Sequence, residues 1–182
     1  MSSGKSYFCF DTETTALVAN TLIDRKHQPH ILEFYGVRID EDGNTIGELE
    51  FFCDPGIPVS AEITKITGIR QEQVTGQPAF AAFADAIRAV VGESTAIVAH
   101  NLTFDRTVVD VEFARLEKTI VWPSLQICTV EQSEWYKGYR LSLSALHEYL
   151  FGAPFEGAHR ARVDVEAMVR CFVEMRKRGD IE

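Results

Sequence analysis

At 182 residues the chain has the length of one domain, or slightly more. An apolar share of 46% is enough for a sizeable core. A net charge of −9 argues against a protein that grips long duplex by its phosphates, but not against one that engages a few nucleotides through metal ions and a few Lys or Arg. No apolar run approaches the ~20 residues of a membrane span. Met1-Ser2-Ser3-Gly4-Lys5 leads straight into a strand, without the apolar region of a signal peptide. Cys9, Cys53, Cys128 and Cys171 are dispersed and form no C-x-x-C pair, so they read as core residues of a protein in a reducing, cytoplasmic setting.

The first element is the apolar run Tyr7-Phe8-Cys9-Phe10, which leads into Asp11-Thr12-Glu13-Thr14. In a strand, positions i and i+2 share a face, so Asp11 and Glu13 stand side by side where like charges repel. A hard divalent cation such as Mg2+ or Mn2+ is the natural compensation, because it prefers oxygen ligands. The plain alternative is an exposed turn with two solvated acids. Residues 15–30 read as a polar loop. Strands are expected at about 31–40 and from Thr45 to Cys53, joined by the turn Asp40-Glu41-Asp42-Gly43-Asn44. Pro55, Gly56 and Pro58 end that ladder. Ser60 reads as the N-cap of a short helix with Ile63 and Ile66 on its apolar side.

Helical spacing predicts a helix from Ala79 to Val91, stopped by Gly92. Thr95 to Ala99 reads as a strand buried on both faces. A helix from Phe104 to Glu117 follows, then a strand near Leu125–Cys128. Further helices are expected at Thr129–Trp135, Ser142–Leu150 and Arg160–Arg178. Three meandering strands followed by strands alternating with helices imply one mixed α/β sheet flanked by helices, as a single domain over residues 1–182.

Two more acids fall at element ends. His100-Asn101-Leu102-Thr103-Phe104-Asp105 follows the buried strand, where open α/β sheets place their ligand sites. Asp105 shares a helix face with Val108, Val109 and Leu116, and so points toward the sheet. Asp164 heads a stripe of Met168, Cys171, Phe172 and Met175. An acid at the head of a buried stripe needs a cation or a hydrogen bond. His159, on the loop entering that helix, suits a general base near neutral pH. The glycines before it, Gly152 and Gly157, allow a mobile approach. Taken singly, Asp105 and Asp164 also read as ordinary first-turn acids, and His159 as a loop histidine.

Together Asp11, Glu13, Asp105, His159 and Asp164 resemble the DnaQ-like, DEDDh 3′–5′ exonucleases of the ribonuclease H-like superfamily. The resemblance rests on three motifs in order: Phe10-Asp11-Thr12-Glu13-Thr14-Thr15, His100-Asn101-x-x-Phe104-Asp105 and His159-Arg160-Ala161-x-x-Asp164. Ile31-Leu32-Glu33-Phe34-Tyr35-Gly36-Val37, Asp54-Pro55-Gly56-x-Pro58 and Ile127-Cys128-Thr129 are similar to the family as well. It implies a ribonuclease H-like mixed sheet of about five strands. It also implies two Mg2+ or Mn2+ ions, with Asp11 bridging both, Glu13 and Asp164 on the catalytic one and Asp105 on the other. His159 is implied as the base. The backbone at Thr14 and Thr15, the side chain of Leu17, and Asn101 and Phe104 are implied to meet the last nucleotide. The expected substrate is a nucleic acid 3′ end, DNA rather than RNA. The oligomeric state stays open.

The family's alternatives are a proofreading subunit of a DNA polymerase and an RNA-trimming exoribonuclease or oligoribonuclease. A nuclease-fold module that only binds is the more distant one. Because the sequence ends at Glu182, soon after the last helix, a stand-alone enzyme is the expectation. Two positions depart from the family pattern: Ala16 stands where glycine is usual, and Thr67 where histidine often precedes Gly-Ile. Trp122, Trp135, Tyr136, Tyr139, Lys137 and Arg140 read as packing or surface residues rather than as a nucleic-acid face.

Overall fold

The computed structural model describes residues 4–19 and 24–181. Met1–Ser3 of the leader reading, residues 20–23 of the expected loop, and Glu182 lie outside them. In chain order the elements are β1 (Tyr7–Thr14), β2 (Ile31–Ile39), β3 (Thr45–Phe52), α1 (Ala61–Thr67), α2 (Gln71–Val74), α3 (Ala84–Gly92), β4 (Ala96–Ala99) and α4 (Leu102–Arg115). Then come β5 (Leu125–Cys128), α5 (Thr129–Gln132), α6 (Glu134–Lys137), α7 (Leu143–Phe151) and α8 (Ala161–Arg178). The sheet order is β3-β2-β1-β4-β5. β1 and β3 run antiparallel to β2, while β4 is parallel to both β1 and β5. This is the mixed sheet that the sequence predicted, with β1 at its centre, and it is a ribonuclease H-like fold.

The pleat of β1 divides the core. Tyr7 and Cys9 point to one face, where α8 covers them with Val165, Met168 and Phe172. Phe8 and Phe10 point to the other, against Ile87 of α3 and Val108, Val109 and Phe113 of α4. Burying a side chain such as Phe172 or Met168 contributes about 1.5–3 kcal/mol. β4 is buried along its whole length, as its apolar run requires. α8 forms because its buried positions (Ala161, Val165, Met168, Phe172, Met175) recur at helical spacing. Arg176, Lys177 and Arg178 suit its C-terminal dipole, and Gly179 ends it in the left-handed region.

Several local expectations change. The helix predicted from Ala79 is a 3-10 turn (Phe80–Ala82) and then α3, separated at Phe83, whose ring stacks on Phe51 with centroids 3.9 Å apart. Gly92 is the last residue of α3 rather than the stop beyond it. Thr129–Trp135 is two single turns, α5 and α6. In α1, Ser60 Oγ caps by accepting from Ile63 N as predicted, but Ile66 is exposed and Thr67 is the buried residue. The short helix α2 carries no strong apolar period and was not legible in the sequence.

Candidate active site

β1 outruns its parallel neighbour. Its ladder with β4 covers Tyr7–Cys9 alone, whereas its ladder with β2 continues to Thr14. Asp11 and Glu13 therefore extend the Tyr7 and Cys9 row past the end of β4, on the α8 face. There they meet Asp164 from the first turn of α8. One carboxylate oxygen from each of Asp11, Glu13 and Asp164 lies within 4.8 Å of the others. Asp105 arrives from the α4 side and stands outside that trio. Its Oδ1 accepts from Thr12 N at 3.0 Å and from Thr12 Oγ1 at 2.8 Å.

The site is electrostatically tense without a cation. Burial, then Asp105, Glu13 and Asp164, drive the Asp11 carboxyl well above the carboxylate range. Burial, then Asp164 and Glu33, push Glu13 up to about 8, with Arg160 pulling the other way. Burial pushes Asp105 up to about 7 against the two Thr12 hydrogen bonds. Asp164 is raised by burial and lowered in part by the His159 amide, which donates to its Oδ2 at 2.8 Å. An all-oxygen cluster whose charges repel fits a hard divalent cation such as Mg2+ or Mn2+.

Asp11 and Asp164 open onto a cleft of about 520 Å³, which His159, Leu17, Asn101 and Phe104 also line. Leu17 is 82% exposed at its mouth. Asn101 and His159 both hold left-handed backbones, with φ of 79° and 68°. Non-glycine residues in that region cluster at functional sites. Thr14 and Thr15 are not among the cleft-lining residues. Thr14 Oγ1 donates to Ala16 O at 2.7 Å, while Thr15 N donates to His30 O and its Oγ1 accepts from His30 N. Of the two departures, Ala16 is exposed, and Thr67 is turned inward, its hydroxyl donating to Ile63 O and accepting from Ile69 N.

Sequence reasoning missed the far wall of the cleft. Ser142, Leu143 and Ser144 at the start of α7, together with Phe155 and Ala158, complete it. No spacing links them to the acids, so nothing in the sequence signals the contact. His100 also lines the cleft. Its Nδ1 is 2.9 Å from Thr129 Oγ1, and burial lowers it to about 4, so it is neutral at ordinary pH. Trp122 is a packing residue, stacked on Phe10 and donating to Asp110. Arg140 pairs with Glu134 and Glu131.

The profile of the exonuclease family matches residues 8–172. A DNA polymerase III PolC-type protein of Pediococcus pentosaceus is 34% identical over 167 residues, covering 90% of this chain and 11% of that protein. The PolC-type protein of Bacillus subtilis is 28% identical over 177 residues, covering 95% of this chain and 12% of that protein. The chain thus spans about a tenth of the length of these relatives. Among solved structures, E. coli Exonuclease I in complex with a dT13 oligonucleotide superposes with a TM-score of 0.76 at 19% identity, over 96% of this chain and 41% of that one. The nuclease domain of 3′hExo, a DEDDh family member bound to rAMP, superposes with a TM-score of 0.76 at 15% identity, over 98% and 94%. These last two show the fold; the profile match and the PolC-type relatives show the family. The chain belongs to the exonuclease family.

Proposed function

We propose that the protein removes nucleoside 5′-monophosphates one at a time from the 3′ end of DNA, single-stranded or frayed, using two Mg2+ or Mn2+ ions. The observation that carries this reading is the convergence of Asp11, Glu13 and Asp164 on one point of a cleft whose rim holds His159. Asp11, Glu13 and Asp164 would hold one cation, and Asp11 with Asp105 the other. Divalent metal bound there lowers the pKa of water and offsets the charge of the scissile phosphate.

The chain's own residues do the rest. His159 takes the proton of the attacking water at an imidazole nitrogen. Leu17 and Phe104 present apolar surface to the terminal base and sugar, and Asn101 a polar amide beside them. The hydroxyls of Thr14 and Thr15 are spent inside the loop, so any contact these two make with the nucleotide is through the main chain beside the cleft and not through their side chains. The net charge of −9 suits a site that holds a few nucleotides and not a long duplex. The matched stretch of 8–172 and the single five-stranded sheet support reading residues 1–182 as one nuclease domain. The four cysteines are free and buried, which fits a reducing, cytoplasmic setting.

The PolC-type relatives favour a second reading within the same chemistry, in which this domain proofreads for a DNA polymerase. Both readings meet one experiment. A 5′-labelled single-stranded DNA oligonucleotide, a 3′-mismatched duplex, a matched duplex and a short RNA are incubated with Mg2+, with Mn2+ and with EDTA. Stepwise shortening of the DNA from its 3′ end with either metal, and none in EDTA, is expected. Preference for the mismatched end supports proofreading. Full activity in EDTA, or faster loss of the RNA, overturns the proposal.

A further inference from the structure

Glu33 lies between Leu32 and Phe34 in β2 and has no exposed surface. It faces Glu13 directly across the β1–β2 ladder. A carboxylate so far from water needs partners. Arg160 supplies them as a fork, with Nε 3.1 Å from Glu33 Oε2 and Nη2 2.9 Å from Oε1. The amide of Ala161 adds a third hydrogen bond, at 3.3 Å to Oε2. A bidentate guanidinium–carboxylate pair fixes direction as well as distance. What it fixes is the entry to α8.

His159 is the residue immediately before Arg160, and its backbone is left-handed at φ 68°. An L side chain adopts that conformation at a cost, and it persists where its surroundings over-determine it. On one side the His159 amide is tied to Asp164 Oδ2. On the other, one residue on, Arg160 and Ala161 are tied to Glu33. The imidazole itself is exposed, and no side-chain hydrogen bond to it is found among the described residues, so its place at the cleft is set by this backbone.

We propose that Glu33 and Arg160 are positioning residues, a clamp anchored at the buried Glu33 of β2 that holds the left-handed backbone of His159 and through it the imidazole at the cleft. The inference rests on the reading of His159 as the base. Arg160 is half-exposed and only Glu33 is fully buried, and an ion pair open to water on one side adds little to stability, so stability alone is a weak reason for this pair to be ionic. Holding a proton acceptor in place is a stronger one, since a misplacement of about 1 Å can cost a hundredfold in rate.

The test uses the full chain carrying Glu33→Gln with Arg160→Met, and separately Arg160→Lys, which keeps the charge and loses the fork. In metal-free protein, amide hydrogen exchange is followed at His159 and at Val98 in β4. In the presence of Mn2+, kcat and KM are measured on a single-stranded oligonucleotide, in the wild-type and His159→Ala backgrounds. The double variant is expected to speed exchange at His159 at least about tenfold with Val98 unchanged, and to lower kcat about 10–100-fold with KM within about twofold. In the His159→Ala background it should change kcat less than about twofold, and Arg160→Lys should fall between. Unchanged protection at His159, or the same loss of kcat in both backgrounds, overturns the clamp. If the double variant fails to fold, Arg160→Lys decides by the same measurements. If His159→Ala keeps full activity, the base reading fails, while the exchange result still decides whether Glu33 and Arg160 hold the loop.

Discussion

Asp105 and Thr12 are joined twice through a single carboxylate oxygen, which accepts both the backbone amide and the hydroxyl of Thr12. The amide is available because β4 ends before reaching it. Asp105 thus replaces the missing strand, which explains why it stands apart from the other three acids. Thr12→Val removes the hydroxyl bond and leaves the amide bond. It is expected to lower stability by about 1 kcal/mol and to lower activity more than a surface change would. Urea unfolding and oligonucleotide turnover measured on one preparation check this; unchanged values for both would mean that the hydroxyl holds nothing.

His159→Ala should lower the rate by ~10²–10⁴-fold and leave the fold intact, as expected for loss of a general base. Circular dichroism and a turnover assay suffice. A variant with wild-type turnover would remove His159 from the mechanism.

Asp11→Asn takes one negative charge out of a cluster in which burial and four neighbouring acids (Asp105, Glu13, Asp164 and Glu33) oppose it. Metal-free protein carrying this change should be more stable than wild type near neutral pH, yet bind Mn2+ weakly and lose most of its activity. Paired thermal melts in EDTA, with Mn2+ titration by calorimetry, test the trade. A variant less stable than wild type would show that the repulsion is already relieved in some other way.

Glu13, ordinarily near 4.5, is pushed up to about 8. A carboxyl that holds its proton more tightly when folded stabilises the fold below its ordinary pKa, and that stability is lost as pH rises through the folded value. Metal-free wild type should therefore lose stability relative to Glu13→Gln between about pH 4.5 and about pH 8, and Mn2+ should return it at the upper end. Urea midpoints measured across that range in EDTA and in Mn2+ give the slope. A constant difference between the two proteins would mean that Glu13 is not shifted.

Gly36 sits in β2 beneath the aromatic stack of Phe8, Phe10 and Phe34. A Cβ there would lie 2.3 Å from the Phe8 ring. Gly36→Ala should destabilise by about 1–3 kcal/mol through overpacking. An unchanged thermal midpoint would show that Phe8 can move aside.

The sequence by itself determined the parts of this protein that depend on local pattern. Period-two placement of Asp11 and Glu13, the unbroken apolar run of β4 and the stripe of α8 each follow from which way successive side chains point. They are enough to give the mixed sheet and to put acids at element ends. Tertiary structure alone decided what those acids meet. Asp105 finds Thr12 across 93 positions, and Arg160 finds Glu33 across 127. Both meetings depend on strand register and on the length of β4 relative to β1, which no local period encodes. The α7 wall of the cleft and the break at Phe83 belong to the same class, since each is settled by packing against a distant element. An acid between Leu32 and Phe34 in a buried strand was the one local sign of the Glu33 clamp, and its partner became visible only once β2 and α8 were side by side.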